Sequence, residues 1–595
     1  MLRNTEAIIM NKARNMLDRI PSVKALVSTT CLAATLLIVS DACTYINNTT
    51  AVQCLSEAEC LERGPAFANT TCSAQTKVCV PVVQNEGLCA TNAECIQKNG
   101  GTSAICRKRD KKCVVLQTAE CPVVHGKRTE IENDKTVFIG LIDPASGGEL
   151  GLVFNKIVQY VQEDLSLQTA GLPSVDGTPG TRPVVFVACN EFGAGIEGLQ
   201  RGARHLVENV GVPAVIGPID SQNVLQVEAP IFLPNKIMSI PPVSVISALN
   251  DLPNPIAPTP LIWRPAISDA ALVKVVAPFV DTVLAQRAID LGIRAAGEPL
   301  RVLVLAEGNI PGVALQRRVQ EILFFNGKTA VQNSMDNPPT YAVSNFGDFN
   351  DPTNNPNPST RITTSLQQVF AFKPHIVIHS SNTLTVPRVF GSLEALWPAS
   401  SGPKPLHVSL QSSWIANTTF TVLANNPTLR NRLFIASTKA PVGTDRLGTF
   451  FLNFKQRFPE FANVAINPLM PNIYDSAYLM IYALAAVGSK PLTGENIAVA
   501  MSRLGPPGTP TLTEPDQFAA GFGVLAGGGN LDLIGLSGSL DFDTKEGGVV
   551  GDSEIRCPTV QGGVVTNFQA SKYSYSVAKG AAGFDTGATA LDCPP

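Results

Sequence analysis

The chain has 595 residues, 45% hydrophobic and only 16% charged, a composition that suits globular domains and excludes wholesale disorder. Lys and Arg total 45 against 48 Asp and Glu, so the net charge of −3 gives no electrostatic case for nucleic acid or for a polybasic membrane surface. Five histidines leave little material for a histidine-built metal centre, and 14 cysteines, eleven of them before residue 122, mark the chain as composite.

Lys12, Arg14, Arg19 and Lys24 precede an apolar run from Ala25 to Val39. A membrane-spanning helix needs about 20 apolar residues, so this shorter run reads as the apolar core of a secretory signal over residues 1–42. Val39-Ser40-Asp41-Ala42-Cys43 follows and resembles a bacterial lipoprotein box with Cys43 as the lipidated residue. Ser40 stands where Leu is usual, and Ser40 with Ala42 also satisfies the small-x-small rule of ordinary signal cleavage. A later apolar stretch, Ala477 to Val487, is too short to span a bilayer and reads as a buried helix.

Residues 43–130 form a cysteine-rich segment and linker. Cys54, Cys60, Cys72 and Cys79 are spaced x5, x11 and x6, and Cys89, Cys95, Cys106 and Cys113 are spaced x5, x10 and x6. Ala58-Glu59-Cys60 recurs as Ala93-Glu94-Cys95, so this is an internal repeat. Units this small bury too little apolar surface to fold without cross-links. Without C-x2-C pairs, disulfides are expected and zinc is not. Four cysteines allow three pairings, which spacing leaves open. Cys121 with Cys189, and Cys557 with Cys593, are the pairings expected outside the repeats. The basic run from Arg107 to Lys112 is expected to be a solvated loop.

From Thr136 the pattern changes to short β-branched runs alternating with helical stretches, the pattern of α/β architecture with parallel sheets. Strands are expected at Thr136–Ile142, Pro183–Ala188, Ala214–Ile216, Arg301–Ala306, His375–His379, Leu406–Ser409 and Leu433–Ala436. Helices are expected from Leu150 to Leu167 and from Val313 to Phe325, and another helix contains Gly198 to Asn209. Two doubly wound lobes joined by a hinge describe residues 131–595 most economically. The first lobe takes mainly 136–264 with 445–510, and the second mainly 300–440 with 515–570. Ligands of such sheets sit beyond the carboxyl ends of the strands.

Six stretches carry a resemblance, in order: Ile139 to Pro144, Val215 to Ser221, Trp263 to Asp269, Lys373 to Ile378, Asn472 to Ala477 and Gly535 to Asp543. Together they make the region from about Thr136 to Gln569 similar to the type I periplasmic solute-binding family of branched-chain amino acid receptors. The resemblance implies a two-lobed receptor that closes on a small polar molecule, amino-acid-like or a carboxylate, and usually feeds an ABC permease. Carried over by position, the ligand-binding residues would be Asp143, Ser146, Asp220, Ser221, Val243 and Ser244 of the first lobe. The second lobe would add Asn309, Ser381, Ser412 and Trp414, with Trp414 closing over an apolar ligand body. The family's second-lobe acidic residue is missing from Gln411-Ser412-Ser413-Trp414, which puts an α-amino acid in doubt.

Enzyme chemistry finds little support. The chain has no G-x-S-x-G and no H-E-x-x-H. Gly193-Ala-Gly-Ile-Glu-Gly198 matches G-x-G-x-x-G, but Cys189-Asn-Glu-Phe-Gly193 separates the glycines from the strand, where a dinucleotide site needs a tight turn. His375 and His379 lie on a strand, where this spacing does not mimic a helical metal site. No cofactor, metal or nucleic acid is therefore expected. The expectation is an exported, lipid-anchored binding protein with a permease or sensor partner; a surface sensor, adhesin or scaffold using the same fold is the alternative.

Overall fold

The computed structural model describes residues 54, 59–60, 63–64, 70–72, 77–81 and 88–586, the last range without 145–148, 176–179, 350–354, 382–384, 411–413, 440–444, 465–468 and 562–563. The signal, Cys43, Ser146, Ser412 and Cys593 lie outside the described residues. The chain divides into two units, residues 1–88 and 89–595.

The first unit holds the first cysteine repeat. Strands β1 (Thr70–Cys72) and β2 (Cys79–Pro81) pair antiparallel with Cys72 opposite Cys79. Disulfides join Cys54 to Cys72 and Cys60 to Cys79, so first pairs with third and second with fourth. The second repeat follows the same rule, with Cys89–Cys106 and Cys95–Cys113. It is built from α1 (Asn92–Lys98), β3 (Ala104–Cys106) and β4 (Cys113–Val115).

This second repeat belongs to the large unit, not to a separate segment ending at 130. Ile96, Ile105, Leu116 and Ile131 are buried in one cluster with Val185, Val187, Leu199, Leu206 and Phe232 of the first lobe. β5 (Val123–His125) then lies antiparallel on the edge of that lobe's sheet. The expected Cys121–Cys189 disulfide is present and ties the same junction. Cys557 is disulfide-bonded, to a partner outside the described residues.

The first lobe continues with β6 (Val137–Asp143), α2 (Glu149–Thr169), β7 (Val184–Asn190), α3 (Gly195–Arg204), β8 (Ala214–Ile216), α4 (Ser221–Val227) and β9 (Met238–Ile240). β6 and β7 are almost continuously buried because helices cover both faces, which is why they read as apolar runs and not as alternating ones. The sheet order is β9-β8-β6-β7-β5, parallel except for β5. Counting from β6, the spatial order is 2-1-3-4, a doubly wound arrangement whose direction switches between β6 and β8.

The chain crosses to the second lobe through β10 (Arg264–Ile267) and α5 (Asp269–Pro278), which packs into the second core. There follow β11 (Val302–Ala306), α6 (Ile310–Ile322), β12 (Tyr341–Asn345), α7 (Pro358–Phe372), β13 (Ile376–Ser380), β14 (Leu406–Ser409) and β15 (Leu433–Thr438). It returns for α8 (Asp445–Arg457), α9 (Met470–Ala486) and α10 (Phe518–Ala526), crosses again at β16 (Gly548–Val549), and ends with β17 (Ser553–Gln561), β18 (Val564–Tyr575) and β19 (Phe584–Asp585). The second sheet reads β12-β11-β13-β14-β15-β17-β18-β19. Its parallel part, β12-β11-β13-β14-β15, follows the same order extended by one strand, 2-1-3-4-5, and switches between β11 and β13.

Three crossings join the lobes. Two of them, β10 and β16, run side by side, and Lys439 N–H donates to the Asp552 carbonyl at 2.9 Å to tie the second crossing to the third. The partition differs from the expected one after residue 510. Phe518, Phe522, Leu531, Leu533 and Leu540 are buried in the first core, and the second lobe regains the chain only from Ser553. α9 is buried along nearly its whole length in that first core, as its apolar sequence suggested. Among the described residues no helix is long and apolar enough to cross a membrane.

Candidate functional site

The two switch points approach one another. α6 leaves the carboxyl end of β11, and it touches both α4, which leaves β8, and the turn at Ser247–Asp251 beyond β9. The carboxyl edges of both sheets therefore border one mouth, where open α/β sheets bind ligands.

On the first lobe the mouth is held by a buried carboxylate that sequence reasoning missed. Glu191, just past β7, is 1% exposed. Its Oε2 accepts from Ile219 N–H at 3.0 Å, and its Oε1 accepts from Asp220 N–H at 2.8 Å and Asn223 Nδ2 at 3.1 Å. Burial pushes its carboxyl up to about 7 in spite of these donors. Gly217 opens the loop thus held, with φ +99 and no room for a side chain, since a Cβ would lie 2.0 Å from the Ile142 carbonyl.

Asp220 caps α4, its Oδ1 accepting from Gln222 N–H at 3.0 Å and Asn223 N–H at 3.1 Å. Asp143, buried at the end of β6, accepts from Asn155 Nδ2 at 2.5 Å. Both carboxylates thus serve the fold. Val243 is half-buried against the first core. Ser221 and Ser244 come together across the loops after β8 and β9, their hydroxyls 3.1 Å apart. Ser244 is fully buried and Ser221 half-buried, so of the pair only the Ser221 hydroxyl reaches solvent with capacity for a further partner.

On the second lobe Asn309 caps α6, its Oδ1 accepting from Gly312 N–H at 2.8 Å. Ser381 is buried and accepts from the Thr385 hydroxyl at 2.9 Å. Trp414 is not a lid. It is 0% exposed, its indole N–H donates to the Ser381 carbonyl at 2.8 Å, and its ring lies 4.8 Å from His379 and 5.1 Å from Phe390. A large ring with its one polar atom satisfied belongs in a core.

Behind Trp414 runs a buried polar chain. His379 Nε2 lies 3.0 Å from His407 Nδ1, His407 Nε2 lies 2.8 Å from Glu394, and Glu394 pairs with Arg432 at 2.6 Å. Burial pushes the Glu394 carboxyl up, but the His407 and Arg432 hydrogen bonds outweigh it and hold the group well below the usual carboxylate range. Burial lowers both histidines, so they are neutral, and one tautomer of each satisfies the chain: His379 donates to His407, which donates to Glu394. His375 stands apart, accepting from Arg301 N–H through Nδ1 at 3.0 Å. The two histidines of the strand thus have separate structural partners.

The G-x-G-x-x-G stretch ends the loop from Glu191 to Ala194 and begins α3. The basic run is also accounted for, since Arg107 donates to the carbonyls of Glu208 and Asn209, each at 3.0 Å, where a helix ends.

No family model matches the chain, and no curated protein matches it. Among solved structures it is similar to a leucine-binding protein LivK from Thermotoga maritima, with 16% identity and a TM-score of 0.47, over 73% of this chain and 98% of that one. A substrate-binding protein of an ABC transporter from Desulfitobacterium hafniense in complex with Leu is similar at 16% identity and a TM-score of 0.44, over 73% of this chain and 99% of that one. A solute-binding protein of an ABC transporter from R. palustris in complex with benzoate is similar at 12% identity and a TM-score of 0.46, over 77% of this chain and 100% of that one.

Proposed function

We propose that the chain is an extracytoplasmic solute-binding protein that captures a small polar molecule, amino-acid-like or a carboxylate, between its lobes without covalent chemistry, for ABC-type transport. The observation that carries this reading is the pair of doubly wound sheets, with parallel parts in the order 2-1-3-4 and 2-1-3-4-5, their switch points turned toward each other and three crossings between them. A ligand touching both lobes favours their closed arrangement over the open one by its differential affinity. Ser221, hydrogen-bonded to the buried Ser244, would supply a polar contact on the first lobe. Five disulfides among the described residues suit an oxidising compartment, and Cys43 would carry the lipid anchor. A surface sensor or scaffold is the second reading, favoured by a cysteine repeat built into the first lobe.

A thermal-shift screen of amino acids and small carboxylates tests the first reading, because a ligand that binds only the folded state raises Tm by mass action. For a ligand so found, Ser221→Ala with Ser244→Ala should weaken binding about tenfold or more, at roughly 1 kcal/mol per lost hydrogen bond. Unchanged affinity in calorimetry would remove these serines from the site, and no stabilising solute would favour the scaffold. Palmitate labelling that survives Cys43→Ala would refute the anchor.

A further inference from the structure

On the first lobe alone, an open groove of about 530 Å³ runs between the second half of α2 and the last turns of α8. Tyr160, Leu167 and Gln168 of α2 border it together with Asn453 and Gln456 of α8. Among the described residues no part of the second lobe and none of Ser221, Ser244, Asn309 or Ser381 lines it. At 1.5 Å per residue, Tyr160 and Gln168 stand about 16 and 28 Å along α2 from its first turn, which follows the carboxyl end of β6. The groove is therefore well clear of the mouth, and its size falls in the range of roughly 300–1,000 Å³ usual for small-molecule sites.

Its charges cancel. Asp164 and Arg457 are the charged residues of the lining, and they pair at 2.7 Å. Arg457 also lies 3.9 Å from Glu163, covers the Tyr160 ring at 3.9 Å and donates to the Tyr160 carbonyl at 3.3 Å, so it pins α8 to α2. No unpaired cation is left to hold an anion, and the paired Asp164 is too deeply buried to offer its charge to a cation. Uncharged polar groups, in contrast, are unused. The Tyr160 hydroxyl, on a residue only 5% exposed, and the side-chain amides of Gln168, Asn453 and Gln456 make no hydrogen bond among the described residues. Asp164 Oδ2 also lacks a partner. A nearly buried hydroxyl is normally bonded, and this one borders the groove. Hydroxyl and amides each both donate and accept, and the exposed Leu167 sets an apolar wall beside them. Neutral groups of mixed donor and acceptor character next to an apolar wall suit a neutral molecule that carries many hydroxyls on an apolar ring.

We propose that this groove is a second binding site, which takes a neutral saccharide of disaccharide size, its hydroxyls on Tyr160, Gln168, Asn453 and Gln456 and the C–H face of a ring on Leu167. Because a single lobe supplies every wall, opening and closing of the lobes leaves the site intact. It tethers the first lobe to a sugar and takes no part in closure, and it does not depend on the ligand of the mouth.

Saturation-transfer NMR of the full chain with maltose, cellobiose, lactose and chitobiose tests it, since this measurement detects weak binding. At least one of these sugars should receive transfer from the protein. Tyr160→Phe removes only the unused hydroxyl, so it should weaken that sugar about fivefold at an unchanged Tm, as the loss of one neutral hydrogen bond requires. Asn453→Leu with Gln456→Leu should abolish the transfer. Transfer to none of the four, or an affinity indifferent to both variants, would overturn the proposal. Transfer lost in Ser221→Ala but kept in Tyr160→Phe would place the sugar in the mouth, which refutes the second site and leaves capture between the lobes standing.

Discussion

The two cysteine repeats share one disulfide rule and meet different fates. Each pairs first with third and second with fourth, across sequence separations of 17 to 19 residues. Among the described residues the first repeat's buried cluster holds Cys54, Cys60 and Cys79, with Cys72 packed against it, and this repeat falls in the first unit. The second adds Ile96, Ile105 and Leu116 and merges with the first lobe. Ahead of the third cysteine the first repeat has Thr70-Thr71 where the second has Ala104-Ile105. Cross-links therefore shape both modules alike, while the apolar side chains that the second repeat adds are what bury it in the first lobe, because burial of apolar area drives association of one surface with another.

The largest expected effect comes from removing a cross-link. Cys95→Ser with Cys113→Ser should cost the large unit about 2–5 kcal/mol, the range for a native disulfide. Cys60→Ser with Cys79→Ser should leave that unit's Tm in place. Equal losses in calorimetry would end the distinction between the repeats.

Titration sharpens the same contrast. Glu228 is 0% exposed, next to Ile231 and Phe232 of the core that the second repeat joins. Burial pushes its carboxyl from an ordinary 4.5 up to about 8, and the Ser239 hydroxyl bond offsets this only in part. The folded state thus holds a proton that the unfolded chain releases, and stability falls as pH rises from about 4.5 through about 8. Glu228→Gln should abolish a loss on the order of 2–4 kcal/mol between pH 5 and pH 9, read from urea midpoints. A parallel pH dependence in both proteins would count against the buried acid.

Two smaller changes probe the docking directly. Ile105→Thr makes the second repeat resemble the first and should destabilise the large unit by about 2 kcal/mol, by cavity formation and a buried hydroxyl. Denaturant unfolding should show it, whereas the matching Thr71→Ile should not stabilise the large unit. Arg107→Gln removes the donors to the helix end at Glu208 and Asn209 and should cost about 0.5–1 kcal/mol. A Tm equal to the parent's would mean that water replaces the guanidinium there.

Much of the fold was legible from the chain. The buried strands at Val137–Asp143, Val302–Ala306 and Ile376–Ser380 read as apolar runs because both of their faces are covered. The helices expected around Leu150–Leu167, Gly198–Asn209 and Val313–Phe325 are present at Glu149–Thr169, at Gly195–Arg204 continued by His205–Val210, and at Ile310–Ile322, and Ala477 to Val487 is buried as its apolar sequence suggests. The candidate site was legible only as loops. Ser221 and Ser244 are indeed brought together, but Asp220 and Asn309 turned out to cap helices, and Trp414 to fill a core. Position along the chain says which loop follows a strand, not which way a side chain turns. Glu191 had no distinguishing signal, since an acid in a loop looks the same whether it faces water or binds three backbone and side-chain donors.

By itself the sequence determined the local elements, the repeat of the cysteine frame and the α/β character of the large unit, because these follow from side-chain periodicity and spacing along the chain. Tertiary structure decided which cysteines pair, that the second repeat belongs to the first lobe, and that residues 518–540 return to the first core before the last crossing. It also decided that a tryptophan and two histidines form a buried chain behind the mouth instead of lining it. Those outcomes rest on contacts between residues far apart in sequence, where burial of apolar area and satisfaction of buried polar atoms select one arrangement among several that local pattern allows equally.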